Sequence, residues 1–482
     1  MMIVSLLSIP FLATIVALIV RRNKQWLEYI TLIASVAEVV LAFFLAKKVL
    51  QFGIYQEYSF FSVDAFSVLF VLIITVIGMI VAAYSIGYLR QELEKKIISV
   101  DRIRIYYILY NLFVMVMLLA VTTVSPIVMW IAIEATTLST AFLISFYNVP
   151  AATEAAWKYL IINSVGLLLA FLGTVFFLAP ASSLAHDTFL SWNELAEMIT
   201  RIDPRLLKVA FVFVLVGYGT KMGLVPMHTW RPDTYSKATT PVVALFSGVL
   251  LNVALFAILR FKSIMNIGVD SSFPEQALIA FGLLSIVLAA LVMFAQKNYK
   301  KLLAYSSIEH AGLLALGFGF GGVAAVAALI HMMYHALAKS LLFFSAGNIL
   351  LKYNSTKIQN VRGIISVLPI TSVLCLIGFF AIVGMPPFGL FWTELYILSS
   401  GVIQHPVVVA IVVFSLAIIF IGFLRYLSAM MFGKPTEGIV KGESNAWTYI
   451  PAIILVVVLV VLGIYLPLPL RTLLREASVI IQ

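Results

Sequence analysis

The chain contains two apolar segments, VSPIVMWIAIEATTLSTAFLI (residues 124–144) and VAFVFVLVGYGTKMGLVP (residues 209–226), each with one ionisable residue deep inside it, Glu134 and Lys221. Apolar runs of about 20 residues are long enough to cross the hydrocarbon core of a bilayer as helices. A charge near the middle of such a helix costs at least about 2.5–3.5 kcal/mol, so it usually faces protein or water and marks a path for ions. These segments therefore predict a membrane protein that moves ions or protons.

The composition supports this class, because 63% of the 482 residues are hydrophobic and only 11% are charged. Soluble domains are about 45–50% apolar and about 25% charged. We therefore expect an all-α polytopic membrane protein. Apolar runs of spanning length predict fourteen transmembrane helices near residues 2–20, 27–46, 63–89, 105–122, 125–147, 153–178, 206–225, 240–261, 275–294, 302–318, 322–349, 363–385, 404–426 and 449–466.

The basic residues predict an orientation. Of the 31 Lys and Arg residues, 19 fall in loops after odd-numbered spans and 9 in the other loops and tails. Since cytoplasmic loops are usually the basic ones, this bias places both termini on the non-cytoplasmic side. The net charge of +10 thus reflects topology rather than nucleic-acid binding, which would need a basic soluble domain. The longest predicted loop, 179–205, is too short for one, so residues 1–482 are predicted to form a single membrane domain.

Cofactor sites are not expected in this chain. Cys375 is the only cysteine, which excludes a disulfide, an iron–sulfur cluster or a thiolate zinc site built from this chain alone. The sequence also lacks GxGxxG, GxxxxGK[ST] and HExxH motifs. We therefore expect no bound cofactor, no metal and no catalytic residue. If the protein serves a redox system, its electrons flow through other subunits.

Two predicted helices are interrupted. The sequence GYGTKMGLVPMHTWRPDTYSKATTP (217–241) follows one apolar run, and VGMPPFGLFWTELY (383–396) interrupts another and contains Glu394. Glycine weakens a helix, and proline removes one backbone donor and crowds the preceding turn. Broken helices at corresponding positions of two halves are typical of transporters with an internal repeat, whose ion sites lie at the breaks. The alternative is a tolerated proline kink at each place.

A third polar group is His331, His335 and Lys339 in ALIHMMYHALAKSLLFF (328–344). Their spacing of four residues places them along one helix face, about 6 Å apart. Histidine exchanges protons near neutral pH, so the three groups could pass protons through intervening water. The alternatives are histidines that only satisfy hydrogen bonds, with a snorkelling lysine, or a metal site. The metal interpretation is disfavoured because no carboxylate or thiolate ligand is evident near them in the sequence.

Five stretches resemble one family over about residues 60–430: WIAIE (130–134), TKMGLVPMHTWRPDTYSKATTPV (220–242), KKLLAYSSIEHAG (300–312), HMMYHALAKSLLFFSAG (331–347) and GMPPFGLFWTELYIL (384–398). The family comprises the antiporter-like subunits shared by respiratory complex I, energy-converting membrane-bound hydrogenases and multisubunit Na+/H+ antiporters. The resemblance implies fourteen helices with two inverted five-helix repeats, here 105–261 and 275–426. Residues 1–89 and 449–482 would form flanking helices.

The resemblance also implies roles for the buried charges. Glu134 would be the glutamate of the fifth helix and Lys221 its partner lysine in the seventh, with the 331/335/339 triplet as the central relay of the eleventh. Glu394 would be the terminal group of the twelfth, where relatives carry lysine or glutamate. Independently, a carboxylate about 7 Å from a lysine contributes about 2.4 kcal/mol at an effective dielectric near 20, enough to load or release a proton. A static ion pair that only fixes packing is the alternative.

The eighth predicted helix departs from the family pattern, and a lysine in the sixth leaves two interpretations open. Many relatives place lysine or histidine in the eighth helix, where this chain has Ser247 and Asn252. Neither side chain titrates, so that link would require water held by their hydrogen bonds. Lys158 lies in the sixth span, where it either tunes Lys221 or snorkels to the interface.

Four more polar residues near the predicted path keep two interpretations each. His228 and Asp233 either line an entry path, with Trp230 as a gate, or cap the ends of the broken helix. Glu309 and His310 in the tenth span either extend the relay or hydrogen-bond neighbouring helices.

The function predicted on these grounds is that of a proton-translocating subunit of a membrane-bound redox complex, nearest to the hydrogenase-type branch. Its partners would be other membrane subunits, a peripheral arm with iron–sulfur clusters, the lipid bilayer and H+, in the cell membrane of a prokaryote. One alternative is a subunit of a Na+/H+ antiporter that has no redox partner. Another is a scaffold whose charges only hold helices together.

Overall fold

The computed structural model of the protein describes residues 1–20, 23–182, 191–268, 272–435 and 438–481. Within these ranges it is a bundle of α-helices with a single small antiparallel hairpin, in which Tyr55–Glu57 pairs with Phe61–Val63. The predicted all-α polytopic class is therefore confirmed. Part of the predicted loop 179–205, residues 183–190, lies outside the described residues.

The described residues form twenty α-helices, α1 to α20 in chain order. The first ten are α1 (Met2–Ile19), α2 (Lys24–Phe52), α3 (Ala65–Glu94), α4 (Val100–Thr122), α5 (Pro126–Ile144), α6 (Pro150–Ser182), α7 (Trp192–Met198), α8 (Pro204–Met222), α9 (Trp230–Lys237) and α10 (Thr240–Leu245). The other ten are α11 (Leu251–Gly268), α12 (Ser272–Met293), α13 (Tyr299–Phe320), α14 (Gly322–Tyr353), α15 (Ile364–Val367), α16 (Pro369–Ile382), α17 (Gly389–Gly401), α18 (Pro406–Met431), α19 (Ala446–Ile464) and α20 (Leu468–Ile481).

Several helix starts follow from the local sequence. Asn23, Asp64, Ser99 and Asn298 precede α2, α3, α4 and α13, and each side chain accepts a hydrogen bond from a backbone N–H of the first turn. Such caps satisfy donors that the helix itself leaves unpaired. Proline begins α5, α8, α16 and α18, where its missing N–H costs nothing.

Eleven helices of the described residues are long and apolar enough to cross a membrane. Counted among them is the continuous segment Thr240–Gly268, in which a π-helical turn, Phe246–Leu250, joins α10 to α11. Three of the fourteen predicted spans have no counterpart in this set: α8 and α13 contain several basic or acidic residues, and α16 is only 14 residues long. The count of fourteen therefore stays a prediction.

Both predicted interruptions are present. We call residues 223–229, between α8 and α9, the first break, and residues 383–388, between α16 and α17, the second break. Each contains a glycine with positive φ, Gly223 at 77° and Gly384 at 64°, a conformation that glycine adopts without steric cost. Helix α6 packs along α8, and α14 packs against α13, α16 and α17, so helices on either side of each break are anchored in the bundle.

Candidate functional site

Glu134 and Lys221 are joined through a hydroxyl group rather than by direct contact. Lys221 Nζ donates to Thr137 Oγ1 at 2.8 Å, and Thr137 lies 3.5 Å from Glu134 Oε2 on the next turn of α5. Ser164 on α6 also donates to Glu134, at 3.0 Å. A rotatable hydroxyl can both accept and donate a hydrogen bond, so Thr137 is placed to relay a change at Glu134 to Lys221.

The Lys221 ammonium group is fully buried at the last turn of α8. Besides Thr137 it donates to the hydroxyl of Tyr159 at 2.7 Å, which itself lies 2.7 Å from Thr140 Oγ1. Trp230 donates its indole N–H to the carbonyl of Thr220 at 2.9 Å and so caps the end of α8. The cation therefore contacts neutral oxygens only, an arrangement in which its charge state responds to distant charges.

A fully buried arginine follows the first break. Arg231, in WRPD, donates hydrogen bonds to the carbonyl oxygens of Met222 and Ser307, the second at 3.3 Å. The predicted spans 206–225 and 240–261 leave Arg231 in the loop between them, but the residue is buried because the short helix α9 packs against α6 and α13. Its position beside an interrupted helix was the one signal in the sequence that pointed to a buried charge.

The centre of the bundle is polar but has few titratable side chains. Ser247, in the π-helical turn, lies 2.8 Å from the hydroxyl of Ser307 on α13. Asn252 donates to the carbonyl of Gly248 at 2.8 Å, while its Oδ1 has no partner among the described residues. π-Helical turns occur often at functional sites, because the wider turn leaves backbone and side-chain groups free.

The histidines form a cluster between α13 and α14. His310 Nδ1 lies 3.0 Å from His331 Nε2, and His331 Nδ1 lies 2.9 Å from Thr393 Oγ1 on α17. The rings of His310 and His335 are 4.9 Å apart, and within the described residues neither ring nitrogen of His335 has a hydrogen-bond partner. One helix turn further, Lys339 Nζ donates to the carbonyl of Leu303 at 3.0 Å. His310 thus lies beside the predicted triplet, whereas sequence reasoning gave it only an auxiliary role.

Glu309 and Glu394 face one small cavity of about 30 Å³. This volume is the space open to the centre of a water-sized sphere, and roughly 10–15 Å³ of it is enough to hold one water molecule. Glu309 is buried, its carboxylate lies 3.4 Å from His310 Nε2, and it interacts electrostatically with Lys339. The cavity therefore has room for water between Glu309, which lies beside the histidine cluster, and Glu394 near the second break.

The expectation that no carboxylate lies near the histidines is wrong. Ligand atoms of His310, His331 and Glu394 lie within 4.8 Å of one another, so these three residues could hold a metal ion. Helix α17 begins directly after the second break and packs against α14, which brings Glu394 to His331. Two imidazoles and one carboxylate are a common ligand set for zinc and similar metals.

Three other predicted residues, Lys158, Asp233 and His228, lie in or near the first break. Lys158 is exposed and forms ion pairs with Glu154 at 2.7 Å and Asp233 at 3.3 Å, so it contacts neither Lys221 nor Glu134. Asp233 also pairs with Lys301 at 2.7 Å. His228 is buried in the first break, 6.2 Å from the ring of Tyr305, and its Nδ1 has no partner in the described part of the chain.

Comparisons with known proteins identify the family. Residues 123–420 match the family described as NADH:quinone oxidoreductase/Mrp antiporter, TM, and residues 56–96 match the N-terminus of complex I chain 5. The chain is 35% identical over 414 residues to a hydrogenase-4 component F homolog of Methylacidiphilum infernorum, covering 85% of this chain and 86% of that protein. It is 27% identical over 425 residues to NADH-quinone oxidoreductase subunit N of Moorella thermoacetica, covering 86% and 85% of the two chains.

Solved structures show the same fold. A chain of the archaeal membrane-bound sulfane sulfur reductase superposes with a TM-score of 0.88 at 24% identity, covering 99% of this chain and 97% of that one. A chain of the Mrp complex from Dietzia sp. gives a TM-score of 0.85 at 17% identity, covering 99% and 96%. Together with the sequence matches, these findings show that the chain belongs to the antiporter-like membrane subunits of the NADH:quinone oxidoreductase and Mrp antiporter family.

Proposed function

We propose that this protein is the proton-translocating subunit of a membrane-bound redox complex of the hydrogenase type. The observation that carries the proposal is the buried polar route across the bundle. It starts at Glu134, Thr137 and Lys221, passes the polar centre, and continues through the histidine cluster to the cavity shared by Glu309 and Glu394. Buried ionisable groups in membrane helices are costly, and a route of them is typical of proton relays.

In this proposal charge moves along the route by coupled steps. A change of charge near Glu134 alters how tightly Lys221 holds its proton, since opposite charges nearby favour the charged form and like charges disfavour it. The proton released near Lys221 requires acceptors further along, which the imidazoles and Lys339 provide. Glu394 then passes the proton toward one side of the membrane.

The proposal also includes partners and a location. Supporting membrane subunits are expected, together with a peripheral arm that carries iron–sulfur clusters and drives the first charge movement. The complex would lie in the cell membrane of a prokaryote with both chain termini on the non-cytoplasmic side, as the distribution of Lys and Arg favours. The relatives include a hydrogenase-4 component F homolog, which supports a redox partner over a sodium-coupled one.

The test is to purify the native complex, identify its subunits and reconstitute it in liposomes. We expect an iron–sulfur or nickel–iron partner, and acidification or alkalinisation of the lumen when the electron donor is supplied. Replacement of Lys221 by methionine should remove this proton movement while electron transfer and subunit content persist. The alternative, a Na+/H+ antiporter subunit, would be supported if only small membrane partners co-purify and Na+-dependent proton exchange occurs without any electron donor.

A further inference from the structure

Arg231 is a buried charge without a carboxylate partner in the described part of the chain. Arginine stays protonated in proteins, and buried arginines are usually paired with an acid. Here the guanidinium group donates only to the carbonyl oxygens of Met222 and Ser307, and its Nε has no hydrogen-bond partner among the described residues. The molecule therefore keeps a permanent positive charge in its interior.

The surrounding residues are arranged to hold this group in place. The guanidinium carbon lies 5.6 Å from the rings of both Trp230 and Tyr235, in cation–π contact. A Cβ atom at Gly223 would lie 2.7 Å from Arg231 Nε, so only glycine at that position leaves room for the side chain. The first break thus creates the space that the arginine fills.

The charge lies between the two halves of the proposed route. Met222, which accepts one of its hydrogen bonds, directly follows Lys221, and Ser307, which accepts the other, contacts Ser247. Arg231 also interacts electrostatically with His335 and Lys339 on α14. It therefore lies in the central region, where the π-helical turn and the start of α11 offer Ser247 and Asn252, neither of which titrates.

We propose that Arg231 is a positioning residue that couples the charge state of the Lys221 end to that of the Lys339 end. This inference rests on the proposed function. A fixed cation makes a second positive charge beside it less favourable, so protons that reach the centre are passed on toward Glu309 rather than retained. The titratable groups that interact with Arg231 directly are His228, Tyr235, His335 and Lys339. Glu309, His310 and His331 lie behind them and interact with His335 or Lys339.

The test compares Arg231→Met, which removes the charge, with Arg231→Lys, which keeps it, in the reconstituted whole complex. For Arg231→Met we expect proton pumping about tenfold lower and a pH profile moved by about one unit toward higher pH, because Lys339 no longer feels the fixed cation. For Arg231→Lys we expect at least half of the wild-type pumping with the wild-type profile. Arg260→Met is the matched control, since that arginine pairs with Asp64 at 2.7 Å, away from the route, and its profile should not move.

Two outcomes would overturn the inference. One is an unshifted pH profile with wild-type pumping in Arg231→Met. The other is an Arg231→Lys variant that accumulates normally but pumps no better than Arg231→Met, which would show that the shape of the side chain matters and its charge does not. If Arg231→Met fails to accumulate, Arg231→Gln replaces it as the neutral variant with which the pumping of Arg231→Lys is compared. Lys221→Met, measured in parallel, separates these results from a failure of the proposed function, because full pumping by that variant would remove the route itself.

Discussion

The two broken helices use the same backbone device with opposite charges. Each break has a glycine of positive φ and a proline three residues later, Gly223 with Pro226 and Gly384 with Pro387. The first break follows buried Lys221 and leads to buried Arg231, whereas the second leads to Glu394 at a small cavity. In the proposed function, a cationic first break and an anionic second break would set the direction in which a proton is released and then accepted.

The surroundings of the two breaks differ as well. In the first break Gly223 to Val225 are buried, whereas Pro226 and Thr229 are exposed. In the second break the three consecutive residues Met385, Pro386 and Pro387 are exposed. Exposed apolar residues of a membrane subunit are covered by lipid or by a neighbouring subunit. Both breaks therefore reach the surface of the chain, but the first begins in a buried turn beside Lys221, and more of the second lies at the margin.

The largest effect is expected from removing the charge of Lys221, which precedes the first break. Lys221→Met keeps the length of the side chain but cannot bind a proton, so proton pumping in liposomes should be lost while the protein accumulates. Lys208→Met is the control, because Lys208 lies on the same helix and rests on the ring of Phe273, outside the route. Undiminished pumping by the Lys221 variant would contradict the proposed role.

Removing the charge at the second break tests whether the sign of the terminal group matters. Glu394→Gln should lower pumping at least about tenfold, because the last titratable group of the route is gone. Glu394→Lys restores a titratable group and should recover part of the activity. Glu154→Gln, an exposed carboxylate on α6, serves as control. Equal activity of the Gln and Lys variants would argue against a terminal relay at this residue.

The hydroxyl bridge at the first break should have an intermediate effect. Thr137→Val removes the group that joins Glu134 to Lys221, and hydrogen bonds to charged groups contribute about 1.5–3 kcal/mol. If the bridge carries the coupling, pumping should fall about tenfold with electron transfer maintained. Thr136→Val is the matched control, since that hydroxyl bonds only to the carbonyl of Ile133 in its own helix. Identical rates for both variants would show that the coupling does not pass through Thr137.

The glycines of the two breaks should differ in their effect on stability. Alanine at positive φ is strained, by about 1 kcal/mol or more, and in both breaks the added Cβ would also meet a charged side chain, Arg231 or Glu394. Gly223→Ala should lower the Tm of the solubilised complex more than Gly384→Ala, because the buried Arg231 has no room to move. An equal loss of Tm would mean that the two breaks are equally confined.

The smallest effect is expected at the edge of the first half. Lys158 is half-exposed and pairs with Glu154 and Asp233, and exposed ion pairs contribute little. Lys158→Ala should change pumping by less than about twofold, since neither partner touches Lys221. A loss as large as that of Thr137→Val would instead place Lys158 in control of Lys221.

The sequence by itself determined the membrane class, both breaks and the family, because apolar length, proline and glycine act locally on the chain. It also drew attention to Glu134, Lys221 and Glu394, since a charge within an apolar run is visible without any structure.

Only the tertiary structure decided which of these groups meet. It placed Thr137 between Glu134 and Lys221, brought His310 and Glu394 to His331, and carried Arg231 from an apparent loop into the centre. The physical reason is that a break redirects a helix by an angle that sequence spacing does not specify. Contacts between residues far apart in the chain follow from that redirection and from helix packing, which act across the bundle and not along the chain.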